Sequence, residues 1–234
     1  MDPNGKILAV GDYRWKVNMW EVATGRSLGP PLRQSDIVFS LEFSPDGQTL
    51  AVSTLKDWNR NHGVRLWDVP SGRQIGELIV IGGANPARLT FSPDGSQLLT
   101  AASDGVRRWE TRSGREIGTL IPHSSGATLI AFRPDGKQFL TGSRTGMLRL
   151  WDAETGEALG TAMPASAAMT CLEFHPDGRH AAAGYADGTA RIWDCLTGQP
   201  IEPAVVQPGP MLAVAFPPKE RVLRTAAADG SIRD

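Results

Sequence analysis

Apolar and polar positions along the chain form short runs that are separated by turns rich in glycine and proline. The segment 127–163 shows the pattern most clearly, with runs at 127–132, 138–143, 147–152 and 158–163. A Pro-Asp-Gly turn follows the first run, where proline presets φ and glycine accepts positive φ. Leucines at 148 and 150 alternate with Arg149 and Trp151. Such short, alternating runs predict four consecutive β-strands.

The four-strand pattern recurs along the chain in a constant register. Phe-x-Pro-Asp-Gly occurs at 43–47, 91–95, 132–136 and 174–178, and a decayed copy occupies 216–220. A Thr-Gly or Ser-Gly pair begins at 24, 71, 113, 155 and 197. A tryptophan followed by Asp or Glu ends each third strand, at Trp20, Trp67, Trp109, Trp151 and Trp193. These markers predict repeat units at approximately 1–42, 43–90, 91–131, 132–173, 174–215 and 216–234.

A single unit of four antiparallel strands cannot bury both of its faces. Stacking successive units buries each face against a neighbour, which is the physical basis of a propeller. The period, the Trp-Asp strand ends and the Pro-Asp-Gly turns resemble WD-repeat proteins over essentially the whole chain. The residues of these motifs resemble those of the repeat arrays common in bacteria. The resemblance implies an all-β WD-repeat β-propeller of about 5.5 four-stranded blades.

Blades of that family usually carry a His, a strand Ser or Thr, a turn Asp and the Trp, hydrogen-bonded in series. In this chain the His position is matched only by His123, and the blade of His123 has Thr145 at the turn. Since no blade has the full set, we expect roughly 1 kcal/mol less stability for each missing buried hydrogen bond. The turn aspartates that fit are Asp104, Asp187 and Asp229.

The length does not fit a whole number of units. At 42 residues per unit, six blades need about 252 residues and seven about 294, against 234 present. We therefore predict that 1–234 is a single partial propeller, an incomplete fragment of a larger six- or seven-bladed ring. Four full blades should lie between a first unit without its first strand and a last unit without its third and fourth. Exposed edge strands of such an open arc or strained ring predict aggregation.

Composition narrows the range of partners. The chain has 24 basic and 25 acidic residues and a net charge of −1, so no strong field attracts nucleic acid or a membrane surface. It shows neither a secretory signal nor an apolar run long enough for a membrane span. Two cysteines, Cys171 and Cys195, predict reduced thiols in a cytoplasmic protein. We expect protein or peptide partners.

The sequence offers no catalytic motif. It lacks HExxH, paired CxxC and EF-hand patterns. His175 and His180 flank one turn and could share a metal, but we find no third ligand beside them and predict neither a metal site nor a cofactor. A propeller enzyme would need carboxylates or metal ligands on the first strands, and the runs at 128–131 and 170–172 supply none. We predict no catalytic residues.

Two tryptophans fall outside the repeat, in loops between second and third strands. The longer of these two loops accounts for the 48-residue spacing between the first two Pro-Asp-Gly motifs. Adjacent blades would place both loops on one face, and Tyr185 occupies an equivalent loop. Trp, Tyr and Arg are enriched at binding hot spots. The loops predict a partner-binding patch of Tyr13, Arg14, Trp15, Trp58, Arg60 and His62. The alternative is that these aromatic rings only pack on their own loops.

The pattern as a whole predicts a non-catalytic protein–protein interaction scaffold built from WD repeats. The alternative is the regulatory or sensing propeller region of a larger bacterial signalling protein, such as a serine/threonine kinase, because similar arrays are often joined to such modules. The sequence does not identify the partner.

Overall fold

The computed structural model describes residues 1–55, 62–82, 87–123, 126–165, 167–217 and 222–234, with the side chain of His62 excepted. Within these ranges the chain forms strands, turns and loops but no helix, and so no helix that could cross a membrane. The chain divides into two compact units, Met1–His123 and Ser124–Asp234.

The first unit contains three antiparallel sheets. Sheet 1 has the order β1-β2-β3, sheet 2 the order β4-β5-β6-β7 and sheet 3 the order β8-β9-β10-β11. The strands are β1 Ile7–Gly11, β2 Lys16–Glu21, β3 Leu32–Arg33, β4 Val38–Phe43, β5 Thr49–Thr54, β6 His62–Asp68, β7 Arg73–Ile81, β8 Arg88–Phe91, β9 Gln97–Ala102, β10 Gly105–Glu110 and β11 Ile121–Pro122.

The second unit contains three more antiparallel sheets in the same sequential order. Sheet 4 comprises β12–β15, sheet 5 comprises β16–β19 and sheet 6 comprises β20–β22. The strands are β12 Leu129–Phe132, β13 Gln138–Gly142, β14 Met147–Asp152, β15 Ala158–Pro164, β16 Met169–Phe174, β17 His180–Tyr185, β18 Thr189–Asp194, β19 Gln199–Val206, β20 Met211–Ala215, β21 Arg224–Ala227 and β22 Ile232–Arg233.

The predicted all-β fold of four complete sheets between two partial ones is confirmed. Sheet 1 has only three strands and begins at the predicted second strand. One detail of the prediction is wrong, because the last sheet has a third strand, Ile232–Arg233, which pairs with Thr225 and Ala226. That strand escaped the sequence analysis because it stops short of the position of a sixth tryptophan.

Each apolar core lies between two consecutive sheets. In the first unit, one cluster joins Val17, Met19 and Leu32 of sheet 1 to residues of sheet 2, and another joins sheet 2 to sheet 3. In the second unit, the corresponding clusters join sheet 4 to sheet 5 and sheet 5 to sheet 6. The second strands pack on both sides, and their side chains are almost fully buried in β5, β9, β13 and β17.

The repeat tryptophans tie the second and third strands of a sheet together. Trp109 donates its indole N–H to the Thr100 hydroxyl at 2.9 Å, and Trp151 donates to Thr141 at 2.8 Å. In sheet 2, Val52 occupies the place of these threonines, and the buried Nε1 of Trp67 has no hydrogen-bond partner among the described residues. The series of hydrogen bonds that the family resemblance implies is therefore interrupted in that sheet.

In sheet 5, a tyrosine hydroxyl takes the place of the threonine as the acceptor of the tryptophan N–H. There Ala183 replaces the threonine, and Trp193 donates its indole N–H to the Tyr185 hydroxyl at 3.0 Å. Tyr185 is only 1% exposed and ends β17, so the prediction that it lies in the loop between the second and third strands is wrong. Trp67, Trp109, Trp151 and Trp193 are buried, whereas Trp20 is half-buried.

The first strands carry carboxylates that the sequence analysis did not consider. Glu42 in β4 lies beside Met1, Pro3 and Ala9, and burial raises its pKa to about 7 against a smaller opposing effect of the chain N-terminus. Burial also raises the pKa of Glu173 in β16, although its Oε1 accepts the Phe216 N–H at 3.4 Å. Both groups carry a desolvation cost when ionised.

The tryptophan–threonine hydrogen bond yields a matched pair of mutations. Thr141→Val should lower the free energy of unfolding by about 1 kcal/mol because it removes the hydroxyl that accepts the buried Trp151 indole N–H. Val52→Thr should act in the opposite direction, by up to about 1 kcal/mol, because it offers an acceptor to Trp67. Urea unfolding followed by tryptophan fluorescence measures both. Equal destabilisation by the two changes would contradict this account.

Glu42→Gln should change the pH dependence of stability. An acid whose folded pKa is raised binds its proton more tightly when folded, so wild-type stability should fall as pH rises from about 4.5 through 7. The variant should be more stable than wild type at pH 8 by roughly 2 kcal/mol and equal to it at pH 4. Urea unfolding at both pH values tests this, with Glu157→Gln on an exposed turn as control. A variant weaker than wild type at pH 8 would refute the assignment.

Candidate interaction surface

The turn between β1 and β2 is fixed by its own backbone and side-chain hydrogen bonds. Asp12 Oδ1 accepts the N–H of Arg14 at 2.9 Å and of Lys16 at 3.0 Å. The carbonyl of Trp15 accepts the N–H of Gln34 at 2.8 Å, which ties the turn to the end of β3. We call residues 12–16 the tryptophan turn. Its backbone is held in place while most of its side chains face solvent.

Trp15 occupies a backbone position that glycine fills elsewhere. Its φ is +63°, and it is the only non-glycine residue with positive φ in the described chain. Gly146, Gly188 and Gly230 precede the third strands of sheets 4, 5 and 6 with φ of +80° to +86°. A side chain there would meet backbone oxygens at 2.5 Å for Gly146 and 2.2 Å for Gly188. An L-residue in this conformation costs about 1–2 kcal/mol.

The aromatic side chains of the tryptophan turn are largely solvated. Tyr13 is 85% exposed and Trp15 is 51% exposed, and Arg14 between them is exposed as well. Lys16 pairs with Arg33 across the β2–β3 ladder, so further basic side chains border the turn. The surface therefore combines two aromatic rings with three basic groups.

The remaining members of the predicted patch cannot be placed beside this turn. Trp58 and Arg60 lie outside the described residues, and so does the side chain of His62, whose backbone begins β6. The structure thus brings Tyr13, Arg14 and Trp15 together, and the contribution of the other three residues remains a prediction.

The predicted repeat residues of the turns differ in the groups that they contact. Asp187 Oδ1 accepts the N–H and hydroxyl of Thr189 at 3.0 and 2.7 Å. Asp104 instead pairs with Arg107 at 2.8 Å, and His123 is buried. In the first sheet, Asp12 accepts the N–H of Lys16 at the start of β2, as Asp187 accepts the N–H of Thr189 at the start of β18. The sequence analysis missed Asp12 because Tyr-Arg-Trp follows it, where the other turns have glycine.

A second polar cluster surrounds the Pro-Asp-Gly turn of sheet 5. Asp177 Oδ1 accepts the backbone N–H of Arg179 at 2.8 Å and of His180 at 3.0 Å. Its Oδ2 lies 2.7 Å from His180 Nδ1 and 3.0 Å from His175 Nδ1. Burial raises the pKa of Asp177, but hydrogen bonds from the His180 backbone and imidazole and from Arg179 outweigh it and hold the pKa well below its usual range.

Asp177 supplies a third polar group beside the two histidines, and the sequence analysis missed it. Its position in the Pro-Asp-Gly motif marked it as a turn-forming residue, and that role occupies only Oδ1. The signal was the spacing His-x-Asp-x-x-His across one turn, at His175, Asp177 and His180.

The two cysteines are free thiols in partly buried positions. Burial raises the pKa of Cys195 to about 12, and the charge of Asp194 acts in the same direction. Burial also raises the pKa of Cys171. Both side chains therefore remain protonated at neutral pH, which disfavours their use as nucleophiles.

Three segments of the chain match the family model described as WD domain, G-beta repeat. They cover residues 29–68, 114–152 and 159–194, just under half of the chain. Each match ends at the Trp-Asp pair that closes a third strand, at Asp68, Asp152 and Asp194. The matched stretches therefore follow the repeat register of sheets 2, 4 and 5.

Several curated proteins resemble about two fifths of the chain. A Periodic tryptophan protein 2 homolog of Schizosaccharomyces pombe is 32% identical over 44% of this chain and 12% of its own length. WD repeat and SOCS box-containing protein 1 of Takifugu rubripes is 31% identical over 42% of this chain and 22% of its own. WD repeat-containing protein SL1-17 of Schistosoma mansoni is 34% identical over 44% of this chain and 31% of its own length.

The chain spans between 12% and 31% of the length of these curated relatives. All three come from eukaryotes, so they do not support the predicted bacterial type of array. Among solved structures, the computationally designed Ika8 protein matches with a TM-score of 0.81 and 23% identity, over 97% of this chain and 67% of that chain, which bears on the fold alone. Three segments of this chain are therefore similar to WD repeats, and about two fifths of the chain is similar to parts of WD-repeat proteins.

Proposed function

We propose that the protein is a non-catalytic protein–protein interaction scaffold and that the tryptophan turn contributes to its binding surface. The WD-repeat relatives support the general role, because repeats of this kind commonly present loops on a rigid array of sheets. The stacked sheets supply that rigidity, and the turns supply variable side chains.

The conformation of Trp15 is the observation that carries the proposal. A tryptophan at positive φ carries a backbone cost of about 1–2 kcal/mol that glycine would avoid, and half of the residue's surface stays exposed instead of packing in the core. Strained residues of this kind cluster at ligand-binding positions. Tryptophan, tyrosine and arginine are also the side chains most enriched at binding hot spots.

The charge of the turn indicates the kind of partner. Arg14 stands between the two aromatic residues in the turn, Lys16 and Arg33 pair across the adjoining β2–β3 ladder, and Asp12 is engaged with backbone N–H groups of the turn. An acidic peptide segment with an apolar or aromatic anchor fits this surface best. Basic groups at the rim of an interface chiefly raise the association rate and make it dependent on salt.

The proposed patch extends to Trp58, Arg60 and His62, which the sequence places in the equivalent loop of the next sheet. Cytoplasmic localisation belongs to the same proposal and rests on the two cysteines read as reduced thiols. The near-neutral charge supports the proposal that neither nucleic acid nor a membrane is a partner. The bacterial signalling alternative, a regulatory region joined to a serine/threonine kinase, gains no support from the eukaryotic relatives.

Trp15→Gly should preserve the stability of the fold and weaken partner binding in one change. Glycine is the residue at the same position in three other sheets, and the backbone strain that it relieves offsets the loss of the half-buried ring, so the free energy of unfolding should change by no more than about 1 kcal/mol. Loss of a hot-spot ring should weaken partner binding by about thirtyfold or more. Urea unfolding measures the first effect, and quantitative pull-down with mass spectrometry measures the second.

Leu196→Ala is the matched control, because Leu196 is an exposed apolar side chain in a turn between third and fourth strands, at 82% exposure. It should leave the captured proteins unchanged. If Trp15→Gly and wild type capture the same proteins to the same extent, the tryptophan turn is not part of the binding surface. Trp58→Ala tests the second loop in the same assay.

A further inference from the structure

The side chains of His175, Asp177 and His180 converge at one turn of the second unit, which we call the imidazole turn. One potential ligand atom from each of the three residues lies within 4.8 Å of the other two. The three side chains are about one-third exposed, so the cluster is open to solvent. It is separate from the tryptophan turn, which belongs to the first unit.

The equivalent turns of other sheets show that the turn itself does not need the imidazoles. In sheet 2, the Ser44 hydroxyl donates to Asp46 Oδ1 at 2.6 Å, and Thr49 begins the next strand. In sheet 3, Ser92 donates to Asp94 at the same distance. A serine hydroxyl and one carboxylate oxygen are therefore enough to close this turn. In the imidazole turn, Asp177 Oδ1 does the same with backbone N–H groups, and Oδ2 remains for the two rings.

The protons available in this cluster do not satisfy all of its contacts. His175 Nδ1 lies 3.1 Å from the backbone N–H of Asp177 and 3.0 Å from Asp177 Oδ2. If His175 Nδ1 carries a proton, it can donate to the Asp177 carboxylate, but it then faces the backbone N–H of Asp177 as a second donor. If Nδ1 carries a lone pair, it can accept that N–H, but it then faces the carboxylate oxygen as a second acceptor. A cation bound to both the Nδ1 lone pair and Oδ2 removes the repulsion between these two acceptors. The backbone N–H of Asp177, which lies in an exposed turn, can then donate to water.

We propose that the imidazole turn is a transition-metal site in which His175, His180 and Asp177 are the three protein ligands. Two imidazoles and one carboxylate form a donor set suited to Zn²⁺, Co²⁺ or Ni²⁺, whereas Mg²⁺ and Ca²⁺ prefer oxygen donors. Ligand atoms around a tetrahedral zinc lie about 3.3 Å apart, given metal–ligand bonds near 2.0–2.1 Å. The present separations of 2.7 and 3.0 Å would widen by about 0.6 and 0.3 Å, and the ligand nitrogens of the two imidazoles, which lie within 4.8 Å of each other, would adjust to the same spacing.

The surroundings of the turn permit a cation. The two neighbouring guanidinium groups, Arg133 and Arg179, are engaged with Asp135 at 3.5 Å and Asp194 at 2.6 Å. The ring of His175 packs edge-on against Phe216 at 4.7 Å between centroids, which orients one ligand. Beside the cluster runs a groove lined by Ile192, Ile201, Val222 and Leu223. Three protein ligands leave a coordination position for water or for a group supplied from outside.

Metal titration of the tag-free protein tests the site. Isothermal titration with ZnCl₂ should show one Zn²⁺ bound per chain, and Co²⁺ should give the visible absorption of a four- or five-coordinate complex. MgCl₂ should produce no response. His175→Ser together with His180→Thr introduces the residues that the sheet 2 turn has at these two positions and keeps both cysteines. This double variant should bind Zn²⁺ at least a hundredfold more weakly than wild type, since even second-shell losses cost 10–100-fold.

His123→Gln is the matched control, because glutamine stands at the corresponding position in two other units, at Gln34 and Gln207. It removes a histidine outside the cluster and should leave the affinity unchanged. Circular dichroism establishes that each variant is folded. The proposal is overturned if wild type shows no stoichiometric Zn²⁺ binding, or if the double variant binds Zn²⁺ as tightly as wild type.

Discussion

The burial of apolar side chains between consecutive sheets is the interaction on which the rest of this structure depends. A four-stranded sheet exposes two faces and buries neither alone. Within each unit, every large apolar cluster of the described chain draws on two sheets that follow one another in sequence. The second strands are packed on both sides, and so their residues are nearly all buried. The stability of one sheet is therefore shared with its neighbours, as expected for stacked repeats.

This shared core explains why individual hydrogen bonds vary from sheet to sheet. Trp151 pairs with Thr141, Trp193 pairs with Tyr185, and Trp67 has no partner among the described residues, yet the three sheets keep the same strand order. Each such bond is worth about 1 kcal/mol, which is small beside the burial of several large apolar side chains. The turns have still more freedom, because they only need to reverse the chain. A tryptophan can replace a glycine before β2, and two histidines can replace a serine and a threonine around Asp177.

The repeat made most of the fold predictable from the sequence. Phe, Pro-Asp-Gly and Trp-Asp recur in one register, and the predicted strands at 138–143 and 147–152 differ by at most one residue from β13 and β14. Tyr185 was misplaced because β17 is joined to β16 across a bulge, where Met169 pairs with Tyr185, and the ring turns into the core. The backbone angle of Trp15 and the position of Asp177 Oδ2 between two imidazoles depend on three-dimensional geometry that no spacing rule provides. The contribution of Trp58 and Arg60 to a binding surface remains a prediction.

Hydrogen exchange in a core variant tests most directly whether neighbouring sheets share their stability. Leu66 in β6 is 1% exposed and packs in the cluster that also contains Leu89, Leu98 and Trp109 of sheet 3. Leu66→Ala should leave a cavity costing roughly 2–5 kcal/mol. Measured by mass spectrometry, amide protection should fall in β6 of sheet 2 and also in β9 of sheet 3, by comparable factors. Protection that falls in sheet 2 and stays at the wild-type level throughout sheet 3 would contradict the account.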